Sequence, residues 1–160
     1  MDESLEKWVG GFLTKKKWRL TTAESCTGGL IGHRITNVAG SSNYYERGFI
    51  TYSNEAKREI LGVPEKVLID HGAVSDPCAR AMAEGARRAA GAEAGLAVTG
   101  IAGPGGGTPE KPVGTVFMAV SLPSGTRSGR FLFEGGRIEV KERTSEAALE
   151  MLRDALLEER

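Results

Sequence analysis

Three side chains among the first 57 of the 160 residues could carry covalent chemistry: Ser25, Ser42 and Lys57. Ser25 lies in Glu24-Ser25-Cys26-Thr27-Gly28-Gly29. An alternating segment, Trp18, Leu20 and Thr22, precedes it, and Leu30, Ile31, Ile35 and Val38 then recur with helical period. A strand, tight turn and helix in that order leave backbone N–H groups after Ser25 free at a helix N-terminus, where negative charge is favoured. A hydroxyl there can be a nucleophile with its own oxyanion donors. Equally, Ser25 or Thr27 can cap the helix while Gly28-Gly29 permit the turn, with Glu24 as a helix-entry charge. Lys57 falls in the first turn of a helix that follows the aromatic and β-branched run Gly48-Phe49-Ile50-Thr51-Tyr52 and a Ser53-Asn54 cap. Lysines on helices are usually solvated. If the strand end and the cap turn Lys57 back toward Ser25, the two form a dyad. A low-dielectric pocket then lowers the pKa of the amine until it can take the hydroxyl proton near neutral pH. Ser42, in the loop Gly40-Ser41-Ser42-Asn43, is the competing hydroxyl, or else an ST-turn or cap residue.

The other reactive residue types carry less. The run Gly103 to Gly107 could offer consecutive backbone N–H groups to a phosphate, yet it matches neither a Walker A pattern nor a GxGxxG opening a helix. His33 and His71 have no metal-ligand partners at suitable spacing, and His33 reads as a helix-surface residue. Cys26 neighbours Ser25 but fits a small buried thiol as well.

The elements that must position these residues are legible from periodicity and punctuation. Leu5, Trp8, Val9, Phe12 and Leu13 form one helical stripe behind a Ser4 cap. Pro64 opens a short helix, and Ser75-Asp76-Pro77 starts an Ala-rich one that stops near Gly91. Leu96 to Thr99 reads as a buried strand, and Val113 to Leu122 and Thr126 to Phe133 flank the turn Pro123-Ser124-Gly125 as an antiparallel hairpin. Arg143 to Leu157 closes the chain with an amphipathic helix. This order implies a three-layer α/β/α sandwich with a mixed, mainly parallel sheet and a C-terminal antiparallel hairpin, one domain over residues 1–160. In such folds ligands bind beyond the carboxyl ends of parallel strands, where both glycine loops and Tyr52 would gather.

Composition excludes several function classes. With 21 Lys plus Arg against 21 Asp plus Glu, the formal net charge is zero, so no overall field draws the chain to nucleic acid or an anionic membrane. The two cysteines, Cys26 and Cys78, are too few for a disulfide scaffold and sit in no CxxC or His cluster. No basic-then-apolar leader and no apolar run of about 18 residues is present. A reduced, cytoplasmic protein without metal or cofactor is expected. Glycine, at 22 residues, is about twice its usual share of ~7%, which again directs attention to the glycine loops.

Taken together, five further-reaching stretches resemble the CinA carboxy-terminal domain family over nearly the whole chain. They are Thr22-Ala23-Glu24-Ser25-Cys26-Thr27-Gly28-Gly29, Ala39-Gly40-Ser41-Ser42, Arg47 through Lys57, His71-Gly72-Ala73-Val74-Ser75, and Thr99-Gly100-Ile101-Ala102-Gly103-Pro104 through Lys111-Pro112-Val113-Gly114-Thr115-Val116. Stand-alone members of that family are nicotinamide-nucleotide amidohydrolases. Longer members carry an additional amino-terminal domain, whose chemistry is not expected here. The resemblance implies hydrolysis of the carboxamide of nicotinamide mononucleotide to nicotinate mononucleotide and ammonia, a step of pyridine-nucleotide salvage. It puts Ser25, Ser42 and Lys57 in the catalytic centre, with Ser25 as nucleophile and Lys57 as base, and Tyr52, Asn54 and Thr99 lining it. Backbone N–H groups near Ser25 or Thr99 would hold the oxyanion. Thr27, Gly28 and Gly100 join the substrate-binding set. The nucleotide phosphate falls to the run that includes Gly103 and Gly105, with Arg137 as its basic partner. One departure stands out: the family usually reads Gly-Asp-Arg where this chain has Gly135-Gly136-Arg137. The expected partners are the small-molecule substrate and further copies in a homo-oligomer, without nucleic acid or membrane. The alternatives are a non-catalytic nucleotide-binding or competence-associated partner protein, and an amidase for another small carboxamide. The lack of a basic stripe weighs against direct DNA contact.

Overall fold

The computed structural model describes residues 3–159. Helix α1 spans Leu5–Lys16, and Ser4 caps it by accepting from the Lys7 N–H at 3.3 Å. Strand β1 (Leu20–Glu24) runs through the Ser25 turn into α2 (Leu30–Thr36). The loop expected at Gly40 to Asn43 is a single 3₁₀ turn, Ser41–Asn43, and β2 (Tyr45–Ile50) follows it. Three helices come next: α3 (Asn54–Leu61), α4 (Glu65–His71) and the Ala-rich α5 (Asp76–Ala90). Strands β3 (Ala94–Gly100), β4 (Thr115–Leu122) and β5 (Gly125–Leu132) lead into α6 (Arg137–Leu157).

The sheet has the order β2-β1-β3-β4-β5. Pairs β2/β1 and β1/β3 are parallel, while β3/β4 and β4/β5 are antiparallel, so only β4 runs against the other strands. Strand alternation divides the core in two. Leu20, Leu96, Val98, Val116, Met118 and Val120 face α1, α2 and α6, whereas Ala23, Ala97, Phe117 and Ala119 face α5 with Cys78, Met82 and Ala83. Burying each large aliphatic side chain contributes about 1.5–3 kcal/mol. The small residues on the α5 face let that helix approach closely. At Gly85 a Cβ would overlap the Leu61 carbonyl at the end of α3, so α3 and α5 touch backbone to backbone. That contact sets the distance of α3, and with it Lys57, from the sheet.

Two boundaries differ from those expected by three residues or more. Strand β2 begins at Tyr45 rather than Gly48, because it is an edge strand whose Glu46 and Arg47 sit toward solvent and mask the alternation. Helix α6 begins at Arg137 rather than Arg143. Its N-cap is Gly136, which offers no side-chain oxygen, and the capping contact comes from Glu139, which accepts the Gly136 N–H at 3.4 Å. No described helix is long and apolar enough to cross a membrane.

Candidate active site

Ser25 follows β1 directly and shares its side of the sheet with Thr21 and Ala23, so its hydroxyl leaves toward α3 and α5. Glu24 leaves on the other face and is 2% exposed. Its Oε1 accepts from the Thr27 hydroxyl at 2.6 Å and the Ile31 N–H at 2.9 Å, and its Oε2 accepts from the Gly32 N–H at 3.0 Å. A carboxylate at a helix N-terminus is favoured by the unpaired N–H groups and the dipole. Here it ties both ends of the Ser25 turn together. Gly28 (φ +61°) and Gly29 (φ +111°) complete that turn in the left-handed region, which side chains adopt only with strain.

Lys57 comes from the opposite direction. Ser53 caps α3 by accepting the Ala56 N–H at 3.0 Å, and Thr51 docks to β1 by donating its N–H to the Glu24 carbonyl at 2.9 Å. These contacts aim Lys57 inward, and it is 1% exposed. Its Nζ lies 2.9 Å from Ser25 Oγ, 2.8 Å from the Thr51 carbonyl and 3.3 Å from the Tyr52 carbonyl. Burial pushes the pKa of the amine below the usual lysine range. A neutral amine at this position spends its two N–H donors on the two carbonyls. Its lone pair is then left to accept from the Ser25 hydroxyl, which is the geometry general-base activation requires.

The cleft around this pair has a volume of about 180 Å³, and Ser25, Cys26, Tyr52, Asn54, Lys57, Thr99, Gly100 and Arg137 all line it. Arg137, in the first turn of α6, donates Nη1 to the Gly103 carbonyl at 2.7 Å and Nη2 to the Tyr52 hydroxyl at 3.0 Å, bridging the glycine loop and the β2–α3 connection. A larger depression of about 780 Å³ runs along α1 past Trp8, Phe12 and Lys16, but it contains no nucleophile and base in contact.

Several residues expected in the centre lie elsewhere. Ser42 precedes β2, and β2 is parallel to β1, so Ser42 sits beside Arg19 and Tyr45 at the opposite edge of the sheet. The five residues of β1 hold it about 15 Å or more from the Ser25 end. Within this chain Ser42 does not reach Lys57. Thr27 is buried and turned to Glu24, and the Thr99 hydroxyl donates to the Ala73 carbonyl at 2.9 Å, which holds the α4–α5 connection against the cleft. Gly28 and Gly105 are exposed and outside the lining. The Ser25 N–H donates to the Val98 carbonyl at 3.2 Å, so the N–H groups left at this turn to receive an oxyanion are those of Cys26 and Thr27, neither of which donates to the backbone of another described residue. Cys26 is no rival nucleophile: burial pushes its thiol up to about 12. Ala73, Val74 and Ala102 also line the cleft, and sequence reasoning did not single them out. Ala73 and Val74 fall inside the quoted His71–Ser75 stretch, which was the only signal available for them. Among the described residues no cluster of three or more His, Cys, Asp or Glu side chains could hold a metal ion.

The chain is thus a three-layer α/β/α domain with a Ser–Lys pair at the carboxyl edge of its parallel strands. The sequence matches the CinA C-terminal domain over residues 2–156, and the chain belongs to that family. A CinA-like protein of Syntrophobacter fumaroxidans is 54% identical over 94% of this chain and 36% of its own length. A competence-damage inducible protein of Caldicellulosiruptor bescii is 52% identical over 96% of this chain and 38% of its own length. The chain thus spans little more than a third of these curated relatives. Solved structures match it end to end. The competence/damage inducible protein CihA of Agrobacterium tumefaciens has a TM-score of 0.92 at 45% identity, with 95% of this chain and 93% of that chain covered. A CinA superfamily protein of Klebsiella pneumoniae 700603 has a TM-score of 0.91 at 34% identity, with 98% and 99% covered.

Proposed function

We propose that the protein hydrolyses the carboxamide of nicotinamide mononucleotide to nicotinate mononucleotide and ammonia, with Ser25 as nucleophile and Lys57 as base. The observation that carries this reading is the 2.9 Å contact between Ser25 Oγ and a buried Lys57 Nζ whose pKa burial lowers. Lys57 takes the Ser25 proton as Oγ attacks the carboxamide carbon, and the Cys26 and Thr27 N–H groups receive the developing oxyanion. Collapse of the tetrahedral adduct transfers that proton from Lys57 to the departing nitrogen, releasing ammonia and leaving an acyl ester on Ser25. Water then attacks the ester, Lys57 accepts its proton, and the carboxylate leaves as Ser25 regains its hydrogen. The volume of the cleft suits the carboxamide and ring, with ribose and phosphate reaching outward to Arg137.

The test is ammonia release from nicotinamide mononucleotide and from free nicotinamide. The nucleotide should turn over much faster, since binding energy from phosphate and ribose positions the amide. Equal rates would overturn the nucleotide assignment, and no release from either would overturn hydrolysis of the nicotinamide carboxamide.

A further inference from the structure

The Ser25 turn is gripped from the side away from its nucleophile. Glu24 and Thr27 are both buried, and neither lines the cleft. The Thr27 hydroxyl donates to Glu24 Oε1 at 2.6 Å, and the same carboxylate accepts the Ile31 and Gly32 N–H groups in the first turn of α2 at 2.9 and 3.0 Å. The Tyr45 hydroxyl closes the space behind it. A Cβ on Gly32 would stand 2.8 Å from Tyr45 Oη and 3.5 Å from Glu24 Oε2, and one on Gly48 would overlap Tyr45 Oη, so two glycines let this ring reach Thr22 Oγ1 at 2.6 Å. Among the described residues no Lys, Arg or His is within salt-bridge distance of Glu24. A buried carboxylate without a cation is costly to keep. Here all of its hydrogen bonds fall on the Ser25 turn and the helix that follows.

The N–H groups left to receive an oxyanion belong to Cys26 and Thr27, and Gly28 and Gly29, both in the left-handed region, come directly after them. Glycine restrains the backbone least, so the turn must be fixed by bonds rather than by side-chain sterics. Three bonds do so: Ser25 N–H to the Val98 carbonyl at 3.2 Å, Gly28 N–H to the Ser25 carbonyl at 3.1 Å, and the Thr27 hydroxyl to Glu24. Only the last is made by a residue whose own N–H is an oxyanion donor. We infer that Glu24 and Thr27 are positioning residues for those donors, acting on the transition state from behind the turn without touching the substrate. An N–H aimed at the carbonyl oxygen contributes most once that oxygen has become an anion, so loss of aim lowers kcat and leaves KM nearly unchanged. The inference rests on the amidohydrolase reading for its substrate, but not for the turn that holds a tetrahedral anion.

Thr27→Val removes the hydroxyl and keeps the shape, while Thr27→Ser keeps the hydroxyl. In ammonia release from nicotinamide mononucleotide, Thr27→Val should lower kcat roughly 10- to 100-fold, a share of the roughly 10²–10³ that a whole oxyanion donor contributes. KM should change less than about twofold, and Thr27→Ser should stay near wild type. The pH profile should hold, because Lys57 acts on the other face of the sheet. Glu24→Gln should also lower kcat, and adding Thr27→Val to it should cost little more, since the two side chains act as one unit. Pyridine-3-boronic acid gives a readout that needs no turnover. Ser25 Oγ bonds to boron as its proton passes to Lys57, no other bond breaks, and the boronate becomes a tetrahedral anion where the oxyanion would lie. In Thr27→Val its affinity should fall with kcat, while that of free nicotinamide holds. A loss confined to KM, additive losses in the double variant, or equal boronate affinity in wild type and Thr27→Val would each overturn the inference, as would a wild-type protein that binds no boronate. If the wild-type protein releases ammonia from neither nicotinamide mononucleotide nor nicotinamide, the hydrolysis reading fails while the boronate titration still decides the role of Thr27.

Discussion

Replacing Lys57 by Met removes the amine and keeps most of the apolar stem, and its consequences differ for catalysis and for folding. General-base catalysis contributes roughly 10²–10⁴-fold, so ammonia release should fall by at least about 10². Ser25→Ala should be as damaging, and the double variant little worse than either, because the two groups act as one unit. For stability, the Thr51 and Tyr52 carbonyls lose a donor at 2.8 and 3.3 Å, at a cost of about 1–3 kcal/mol for each group left unpaired. Relief from burying the amine offsets part of that. The offset depends on pH. Burial lowers the Lys57 pKa in the folded protein, whereas the unfolded chain holds this proton up to about 10.4. Between the two values the unfolded state binds more protons, so wild-type stability rises with pH, by at most about 1.4 kcal/mol per unit. This contribution is complete above the unfolded pKa and is lost as pH falls through the folded one. Urea unfolding of both proteins from pH 6 to 10.5 should therefore show the wild-type advantage growing with pH, while the wild-type rate climbs through the lowered pKa. Near wild-type turnover by Lys57→Met would eliminate the dyad, and a pH-independent stability gap would refute the buried, easily deprotonated amine.

Glu24→Ala strands the Ile31 and Gly32 N–H groups and the Thr27 hydroxyl, so urea unfolding should report a loss of about 3 kcal/mol or more; a loss below about 1 would mean that water replaces the carboxylate. Gly85→Ala drives a methyl into the Leu61 carbonyl. It should destabilise by about 1–3 kcal/mol and reduce turnover as well, since α3 carries Lys57, and an unchanged melting temperature would contradict the close approach of α3 to α5. Cys26 and Cys78, with thiols pushed up to about 12 and about 11, should react with a disulfide reagent at pH 8 far more slowly in the native protein than in urea; equal rates would show that these thiols are accessible.

Local chemistry marked the Ser25 turn clearly. Strand alternation, paired glycines and a renewed helical period are all short-range signals, and the capped helix bearing Lys57 is another. Ser42 shows where such signals stop. Its loop reads as flexible enough to reach the cleft, and only the parallel pairing of β2 with β1, a long-range fact, sends it to the far end of the sheet. The Ser25 N–H is likewise committed over a long range, to the Val98 carbonyl on a strand some seventy residues away, which the turn alone does not show. The early start of α6 escaped because Gly136 and the exposed Ile138 give neither a cap nor an apolar stripe. Arg137 could therefore be named from the resemblance but not placed on a helix. The contacts of Lys57 with the Thr51 and Tyr52 carbonyls had no signature, since a carbonyl oxygen is the same in every residue.

Those carbonyls belong to the segment that leaves β2, a strand paired on one side only, and the Thr51 N–H to Glu24 bond is its last tie to the sheet interior. Sheet edges open locally at a small fraction of the global unfolding free energy. The orientation of the Lys57 lone pair thus depends on the opening equilibrium of the edge strand as well as on the packing of α3 against α5. A population of molecules can be fully folded by every global measure and still hold the amine turned away from Ser25. Amide exchange at Thr51 and Tyr52 would count that population, and conditions that fray the edge would shut off the dyad well before the domain melts.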